Sequence, residues 1–214
     1  MHQVNSRRVR YAIVDGAFNA EDVAVWRQQQ VSFVQLRDRS LTPAQLTATA
    51  RKLLTCTAAE FSQELSAAPS LLINHRADVA LAAGAGGVHL TAHAGELTPR
   101  QVRELFALAE AEVDTAAVSA AARPIVSVSC HTLAEVERAA ANGTEWLLFG
   151  PVFEKRVDSA KVLHGCGVAL LREACRLAPE RVLALGGVTW ANEEECLAAG
   201  AAGIAGIRLF QAPR

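Results

Sequence analysis

Several features that would place this protein in a familiar class are missing from its sequence. The net charge is only −1 over 214 residues, so there is no basic field to attract nucleic acid or an anionic membrane surface. The longest charge-free apolar run, residues 79–90, is broken by glycines and is too short to cross a bilayer. The N-terminal segment has two adjacent arginines but no apolar stretch, so we expect no secretion signal. We therefore expect neither a nucleic-acid partner nor a membrane.

Cysteine pairs are missing too. The five cysteines are an odd number and form no C-x-x-C motif, which argues against both a disulfide framework and a zinc framework. Reduced thiols indicate a cytoplasmic protein. Cys175 and Cys196 lie in helical patterns, whereas Cys130 and Cys166 fall near loops at the predicted active edge. Burial as a small apolar side chain is the common fate of a free cysteine and is the main expectation here.

Common enzyme and metal motifs are absent as well. No glycine-rich dinucleotide fingerprint follows the first apolar run, and the chain has neither a P-loop nor a G-x-S-x-G motif. His89 and His93 are four residues apart, a spacing that would suggest metal ligands on one face of a helix. Here the two residues lie at a strand end and in a loop, so the spacing does not indicate a metal site. The spacing of residues therefore predicts no metal site. His89 precedes a leucine in an apolar run and is expected to be structural rather than catalytic.

The sequence has regular alternation instead. Short apolar runs, rich in branched residues, are separated by segments with helix signals, such as the N-cap and proline pairs Thr42-Pro43 and Thr98-Pro99. Such runs fit strands that are buried on both faces, as in a parallel sheet. The predicted strands are residues 11–14, 33–36, 71–73, 87–90, 125–129, 146–149, 182–185 and 203–207.

Strands and helices that alternate in this way over this length predict an α/β fold, a (β/α)8 TIM barrel in a single domain. We assign residues 1–10 to an N-terminal extension and residues 11–214 to the barrel. An open doubly wound sheet is the alternative, but it usually has the glycine fingerprint that is missing here. Only RLFQAPR follows the last run, so the last helix is expected to be shortened or missing. The N-terminal segment or a second subunit, as in a homodimer, would then cover the exposed side.

The β-α-β unit over residues 125–153 is predicted to carry the chemistry. Thr132 is a good N-cap with Glu135 three residues later, so a helix separates two buried strands. The carboxyl ends of parallel strands open at one edge, where α/β barrels have their active sites. His131 and the loop at Gly150 should therefore lie side by side at that edge.

Polar side chains also follow other predicted strands. Gln35 and Arg37 share one face of the second strand, and Arg37 and Arg39 lie at its end. Two guanidinium groups at a strand end suit phosphate or pyrophosphate oxygens. The alternative is that Arg37 pairs with Asp38 or Asp15 in a structural network.

Glycine-containing loops follow the last two predicted strands. Gly186 and Gly187 follow the seventh strand, and Gly206, Ile207 and Arg208 end the eighth. Loops at these positions of a barrel frequently bind phosphate through backbone N–H groups, and glycine lets the main chain approach the anion. A helical turn that starts near Arg208 would add its positive end. We expect a phosphate site here, with tight packing as the alternative.

These features occur in the order found in one superfamily. The sequence resembles thiamine phosphate synthases and thiazole tautomerases (TenI-like proteins) over residues 11–210. The resemblance implies a TIM barrel that acts on a phosphorylated thiazole in thiamine biosynthesis. The matching stretches are Gln35-Leu36-Arg37-Asp38-Arg39, Ile73-Asn74 with Arg76, Gly87-Val88-His89-Leu90, Ser129 with His131, Gly150-Pro151-Val152-Phe153, and Gly186-Gly187.

Departures from the synthase pattern make the tautomerase branch the closer resemblance. The synthase holds magnesium with two aspartates, and the corresponding positions here are His75 and Ala94. Loss of both carboxylates removes the expected magnesium site. The threonine-rich loop of the synthase is replaced by a segment without threonine. Resemblance to the tautomerase includes Val152-Phe153-Glu154 and the stretch G-x-G-V-x-L-L that begins at Gly165.

The resemblance therefore implies a thiazole tautomerase, an isomerase that moves a proton to aromatise a carboxythiazole phosphate. It gives the acid–base role to His131, because an imidazole ordinarily titrates near neutral pH. Gln35 and Asn74 would orient the ring, while Arg37, together with Lys161, would bind the substrate carboxylate. Arg39 is a further substrate-binding candidate, and no cofactor is expected.

Two alternatives stay open. The first is a thiamine phosphate synthase, a transferase, with an atypical metal site; it is the one case in which magnesium would be expected. The second is a barrel without catalysis that binds thiazole phosphate or thiamine phosphate.

Overall fold

The computed structural model describes residues 8–62, 67–93, 95–111, 123–158 and 161–213, and it leaves the side chains of residues 155–158, 161 and 162 undescribed. Within these ranges, eight parallel strands close into a barrel, which confirms the predicted fold. A two-stranded hairpin is inserted after the sixth barrel strand. In chain order the strands are β1 (Val9–Val14), β2 (Phe33–Leu36), β3 (Ser70–Asn74), β4 (Gly87–Thr91), β5 (Ile125–Cys130), β6 (Trp146–Phe149), the hairpin strands β7 (Lys155–Asp158) and β8 (Lys161–Leu163), β9 (Val182–Leu185) and β10 (Gly203–Gly206).

Helices connect the barrel strands on the outside. Two of the predicted N-caps are confirmed, because Thr42 with Gln45 and Thr132 with Glu135 form reciprocal capping boxes. None of the described helices is both long and apolar enough to cross a membrane. They are α1 (Ala20–Gln28), α2 (Pro43–Phe61), α3 (Ala77–Ala83), α4 (Pro99–Ala111), α5 (Leu133–Ala141), α6 (Gly167–Leu177) and α7 (Glu193–Ala198).

The barrel strands bury apolar side chains on both faces. One face of each strand packs against the helices in a large core. The other face fills the barrel, where Tyr11, Leu72, Leu148 and Leu183 form a second, smaller core without exposed surface. A strand that is buried on both faces has no polar face, which is why its sequence is a nearly continuous apolar run.

The hairpin β7–β8 was not predicted from the sequence. Lys155 pairs with Leu163 and Arg156 with Val162 in an antiparallel register. The segment is short and charged, so neither its composition nor its periodicity indicated strands. The hairpin extends the chain at the carboxyl end of β6.

A 3-10 turn, η1 (Arg208–Phe210), follows β10 where a full barrel repeat would have a helix. The predicted shortening of the last helix is thus confirmed. Phe210 is fully buried; its carbonyl accepts the indole N–H of Trp26 at 2.9 Å, and its ring meets that of Trp190 edge-on. The turn therefore covers part of the side that we expected another segment to cover, and the homodimer stays a prediction.

Candidate active site

The carboxyl ends of the barrel strands form the mouth of the barrel. Strand register brings distant residues together there, because Asn74 lies opposite His89, and Cys130 lies opposite Phe149. The predicted site residues of β2, β3, β5, β9 and β10 all lie at or just beyond this end. Closure of the sheet, more than local sequence, therefore assembles the candidate site.

Gln35 and Asn74 form a hydrogen-bonded pair at the mouth. Strands β2 and β3 are neighbours, and Gln35 Nε2 donates to Asn74 Oδ1 at 2.8 Å. Gln35 is only 1% exposed, and its Oε1 has no hydrogen-bond partner within the described residues. A buried acceptor without a donor is unfavourable, so this oxygen is suited to a donor group of a ligand. The role of the pair in orienting a ring stays a prediction.

Arg37 and Arg39 follow β2 and are both exposed. Asp38, between them, accepts hydrogen bonds from the hydroxyl and the backbone amide of Ser40 at 2.6 and 2.9 Å. These bonds lower the pKa of the Asp38 carboxyl. In the described part of the chain, Arg37 makes no ion pair with Asp38 or Asp15, so the structural alternative is not observed. The two guanidinium groups are available to an anion at the mouth.

His131 lies just beyond β5, beside the loop at Gly150 as predicted. Its backbone amide donates to Glu135 Oε2 at 2.6 Å, and its ring Nδ1 lies 2.5 Å from the carbonyl oxygen of Gly150. Because a carbonyl oxygen can only accept, Nδ1 carries the proton, and Nε2 of the neutral ring has a free lone pair. His131 is exposed, and its Nε2 has no partner among the described residues. This nitrogen is therefore placed to accept a proton from a ligand.

The first glycine loop follows β9. Gly186 and Gly187 have φ values of 89° and 67°, a left-handed conformation that favours glycine. Their amides, and that of Ile207 after β10, donate no hydrogen bond within the ranges the structure describes. Strands β9 and β10 are neighbours, with Leu185 opposite Ala205, so these amides lie close together. Free N–H groups after two neighbouring strands are candidates for a backbone anion site, and this role stays a prediction.

The second glycine loop follows β10. Gly206 ends β10, and Ile207 and Arg208 are exposed at the mouth, Ile207 by 39%. A short helical turn begins at Arg208, as predicted, and has three residues. Its contribution to phosphate binding stays a prediction, as does that of the backbone amides.

Two positions discussed above lie wholly or partly outside the described residues. Lys161 begins β8 opposite Asp158, but its side chain lies outside the described residues. Its predicted contact with a substrate carboxylate stays a prediction. Ala94 lies outside the described residues as well.

A histidine–carboxylate pair at the mouth was missed by sequence reasoning. His75 follows β3, and its Nδ1 lies 2.5 Å from Glu96 Oε2. The Thr91 hydroxyl, at the end of β4, donates to the same oxygen at 3.0 Å. Glu96 is 21 residues from His75, so no local spacing connected them. The available signal was that His75 stands at an aspartate position of the resembling synthases.

A buried polar chain lies below the mouth. The ring nitrogens of His89 lie 2.8 Å from the hydroxyls of Ser127 and Ser129, and Ser127 also contacts the Tyr11 hydroxyl at 2.9 Å. Burial lowers the pKa of His89 to about 3, with nearby positive charge as a smaller cause. Both ring nitrogens are hydrogen-bonded and burial favours the neutral ring, which fits the structural role predicted for His89.

The cysteines agree with the expectation of core positions. Cys130, Cys175 and Cys196 are buried free thiols. Burial raises the pKa of Cys130 to about 12 and those of Cys175 and Cys196 to about 11, so these thiols are not nucleophilic near neutral pH. Cys166 is exposed ahead of α6 and departs from the expectation of burial.

A closed parallel barrel with free amides after its last two strands defines the class of TIM-barrel proteins with a mouth suited to an anionic ligand. Within that class, the chain belongs to the thiamine monophosphate synthase family (TMP-TENI), whose family model matches residues 10–210.

Individual relatives agree with this family. A Geobacter sulfurreducens protein, provisionally named a thiamine-phosphate synthase, is 34% identical over 207 residues, which cover 95% of this chain and 80% of the relative. The thiamine-phosphate synthase of Methanoculleus marisnigri is 31% identical over 176 residues, covering 81% of this chain and 71% of the relative. A Pyrococcus furiosus thiamine phosphate pyrophosphorylase structure has a TM-score of 0.69 and 23% identity, covers 95% and 86% of the two chains, and supports the fold.

These relatives confirm the superfamily but give no support to the tautomerase branch. The names above are those of synthases, so the transferase alternative is better supported than the isomerase that we expected. The sequence favoured the tautomerase because its departures from the synthases fall at two metal positions and in one loop. The sequence identity to the synthases extends over most of the barrel and does not depend on those few positions.

The synthase resemblance implies magnesium, and the residues described at the mouth do not fit it. Mg²⁺ is usually held by one or two carboxylates together with substrate phosphates. Position 75 has an imidazole instead, and the carboxylate of Glu96 is already bonded to His75 and Thr91. No cluster of three or more His, Cys, Asp or Glu side chains that could hold a metal ion occurs in the described part of the chain.

Proposed function

We propose that this chain is a transferase that forms thiamine phosphate from a pyrimidine diphosphate and a thiazole phosphate. The observation that carries the proposal is that relatives named thiamine-phosphate synthase match most of the barrel at 31% and 34% identity. In this reaction a bond forms between the pyrimidine methylene carbon and the thiazole nitrogen. The carbon–oxygen bond to pyrophosphate breaks, and pyrophosphate leaves with the electron pair.

The residues of the mouth have separate roles in this proposal. The free amides of Gly186, Gly187 and Ile207 bind the phosphate of the thiazole. Buried Gln35 Oε1 accepts a hydrogen bond from a ring substituent, and Asn74 fixes the orientation of the Gln35 amide. The guanidinium groups after β2 bind the pyrophosphate oxygens. The substrates are thus small phosphorylated heterocycles.

A turnover assay with the full chain tests this proposal. We expect thiamine phosphate and pyrophosphate in equal amounts from the two half-substrates. Arg37→Gln should lower kcat/KM by about tenfold or more, since it removes a charge-assisted contact. His93→Gln, an exposed loop histidine, serves as the control and should change little. Absence of thiamine phosphate, both with Mg²⁺ and with a chelator, would contradict the proposal.

A second candidate, the thiazole tautomerase, is favoured by the geometry of His131. Its Nδ1 donates to the Gly150 carbonyl and its Nε2 is free, so one imidazole is placed to take a proton from one ring atom and return it to another. This reaction needs no leaving group and no metal. Such an arrangement is not required for transfer of a pyrimidine to a thiazole nitrogen.

An assay with a second substrate distinguishes the two candidate functions. The non-aromatic carboxythiazole phosphate is incubated with the chain, and aromatisation is followed by proton NMR. Aromatisation without any thiamine phosphate from the half-substrates would replace the first candidate by the second. Saturable binding of thiazole phosphate without either reaction would leave the non-catalytic binding protein as the function.

A further inference from the structure

The pair of His75 and Glu96 is organised more tightly than a surface ion pair. His75 has a φ of 62°, a left-handed conformation that is uncommon for residues other than glycine. A hydrogen bond of 2.8 Å from its amide to the His89 carbonyl maintains this conformation. Residues held in sparsely populated backbone conformations cluster at functional sites. Neither reaction considered above has used this pair.

Glu96 fixes both the position and the proton of the His75 ring. The Glu96 side chain is 16% exposed and accepts from His75 Nδ1 and from the Thr91 hydroxyl. A carboxylate can only accept, so Nδ1 keeps its proton on the side of Glu96. Nε2 lies on the opposite side of the ring and has no partner among the described residues. The His75 side chain is 33% exposed, so part of the ring is open to solvent.

Positive charge from a second residue reaches the same region. Arg37 follows β2 and His75 follows β3, and these two strands are neighbours in the barrel, so both residues lie on the same side of the mouth. Arg76, beside His75 in sequence, is bound to Asp78 through two short hydrogen bonds and is directed to that partner instead. The His75–Glu96 pair and the guanidinium of Arg37 therefore lie on neighbouring strands of the mouth, at the position where the resembling synthases have a metal-binding aspartate.

We propose that the His75–Glu96 pair takes the place of a divalent cation, so that this chain binds a phosphorylated ligand without a metal. In this pair Nδ1 of His75 donates to Glu96, and Nε2 forms a hydrogen bond with a phosphate group of the ligand, while the exposed guanidinium of Arg37, at the end of the neighbouring strand β2, supplies positive charge. Mg²⁺ prefers oxygen ligands and would have to displace the hydrogen bond within the pair. The proposal rests on the proposed function only in taking the ligand to be phosphorylated.

The first experiment measures binding of a metal alone. Mn²⁺, detected by electron paramagnetic resonance, is titrated into the wild-type chain and into His75→Asp. The variant puts a second carboxylate beside Glu96, and aspartate tolerates the left-handed conformation. We expect the variant to bind Mn²⁺ at least about tenfold more tightly than the wild type, because carboxylates are the ligands this ion prefers. Equal affinities, or saturable wild-type binding that is lost in His75→Ala, would overturn the proposal.

The second experiment measures binding of inorganic phosphate by calorimetry, once with Mg²⁺ and once with a chelator. The wild-type dissociation constants should agree within about twofold, and His75→Asn should weaken binding about tenfold, as expected for loss of a charge-assisted hydrogen bond. Asparagine also tolerates the backbone conformation, and thermal unfolding verifies that the variant is folded. His93→Gln is the control. Wild-type binding that disappears in the chelator would contradict the proposal.

Neither experiment depends on turnover. If the transferase assay fails while phosphate binds equally with and without Mg²⁺, the proposed function is lost and the inference about His75 and Glu96 stands. If thiamine phosphate forms only with Mg²⁺ and phosphate binding also needs the metal, the inference is lost and the proposed function stands.

Discussion

A hydrogen bond to the end of a neighbouring strand determines which ring nitrogen of His131 carries the proton. The carbonyl oxygen of Gly150, at the end of β6, holds the proton on Nδ1, while Glu135 holds the backbone amide of His131. The sequence predicts only that an imidazole is present at this position. The loop after the next strand determines which ring nitrogen carries the proton and which one is without a hydrogen-bond partner among the described residues. The same holds for His75, whose tautomer is set by Glu96 from a loop 21 residues away.

Replacement of His131 should affect the rates of the two candidate reactions differently. His131→Gln removes the free nitrogen, so we expect proton-shift activity to fall by about 10²-fold or more, the usual contribution of a general acid–base residue. Transfer of the pyrimidine should fall by less than about tenfold, because it requires no base at this position. Both rates are measured on the same preparations, with His93→Gln as the matched control. A loss of equal size in both reactions would show that His131 acts on structure or binding instead.

At the scale of elements, the loop after β9 shows how packing fixes a site. Gly187 has a positive φ, and an added Cβ would lie 2.7 Å from the Glu154 carbonyl oxygen. Gly84, which ends α3, has a similar φ of 74° but no atom within 4 Å of such a Cβ. The two glycines share the backbone conformation and differ in their surroundings.

This difference gives a prediction with an internal control. Gly187→Ala should destabilise the chain by about 2–3 kcal/mol, from backbone strain together with overpacking. Gly84→Ala should lower stability by only about 1 kcal/mol, from the backbone conformation alone. Urea unfolding gives both values, and calorimetry with thiazole phosphate should show weaker binding in Gly187→Ala alone. Unchanged binding of thiazole phosphate in a folded Gly187→Ala chain would argue against the anion site at this loop.

The elements differ in how far the sequence could predict them. The barrel strands were predictable because burial on both faces makes each one a continuous apolar run. Capping residues such as Thr42 and Thr132 have local signals and were predictable for that reason. The hairpin β7–β8 has no such pattern. The pairing of His75 with Glu96 depends on the register of β3 and β4 and on the path of a loop, which no periodicity encodes.

At the scale of the whole molecule, barrel closure brings residues from position 35 to position 208 to one end. Below that mouth, His89 fills the barrel interior as a neutral ring between two serine hydroxyls. In mildly acidic solution His89 is therefore neutral in the folded chain and protonated in the unfolded chain. The stability of the barrel should accordingly depend on pH.

The sign of this dependence follows from the two pKa values. His89 has a pKa of about 3 in the folded chain and an ordinary value of 6.5. Between these values only the unfolded chain takes up the proton, so stability decreases as pH falls below about 6.5. One such proton gives a slope of at most about 1.4 kcal/mol per pH unit. Urea unfolding at several pH values should show a steeper loss for the wild type than for His89→Gln. Equal slopes in wild type and His89→Gln would contradict the buried neutral ring.

The position of a bound phosphate tests the proposed site most directly. A crystal structure of the chain with thiazole phosphate should show the phosphorus within hydrogen-bonding reach of the Gly186, Gly187 and Ile207 amides. The thiazole ring should then lie toward Gln35 and Asn74. A phosphate bound outside the barrel mouth, or a ring directed away from these two residues, would contradict the assignment of the site.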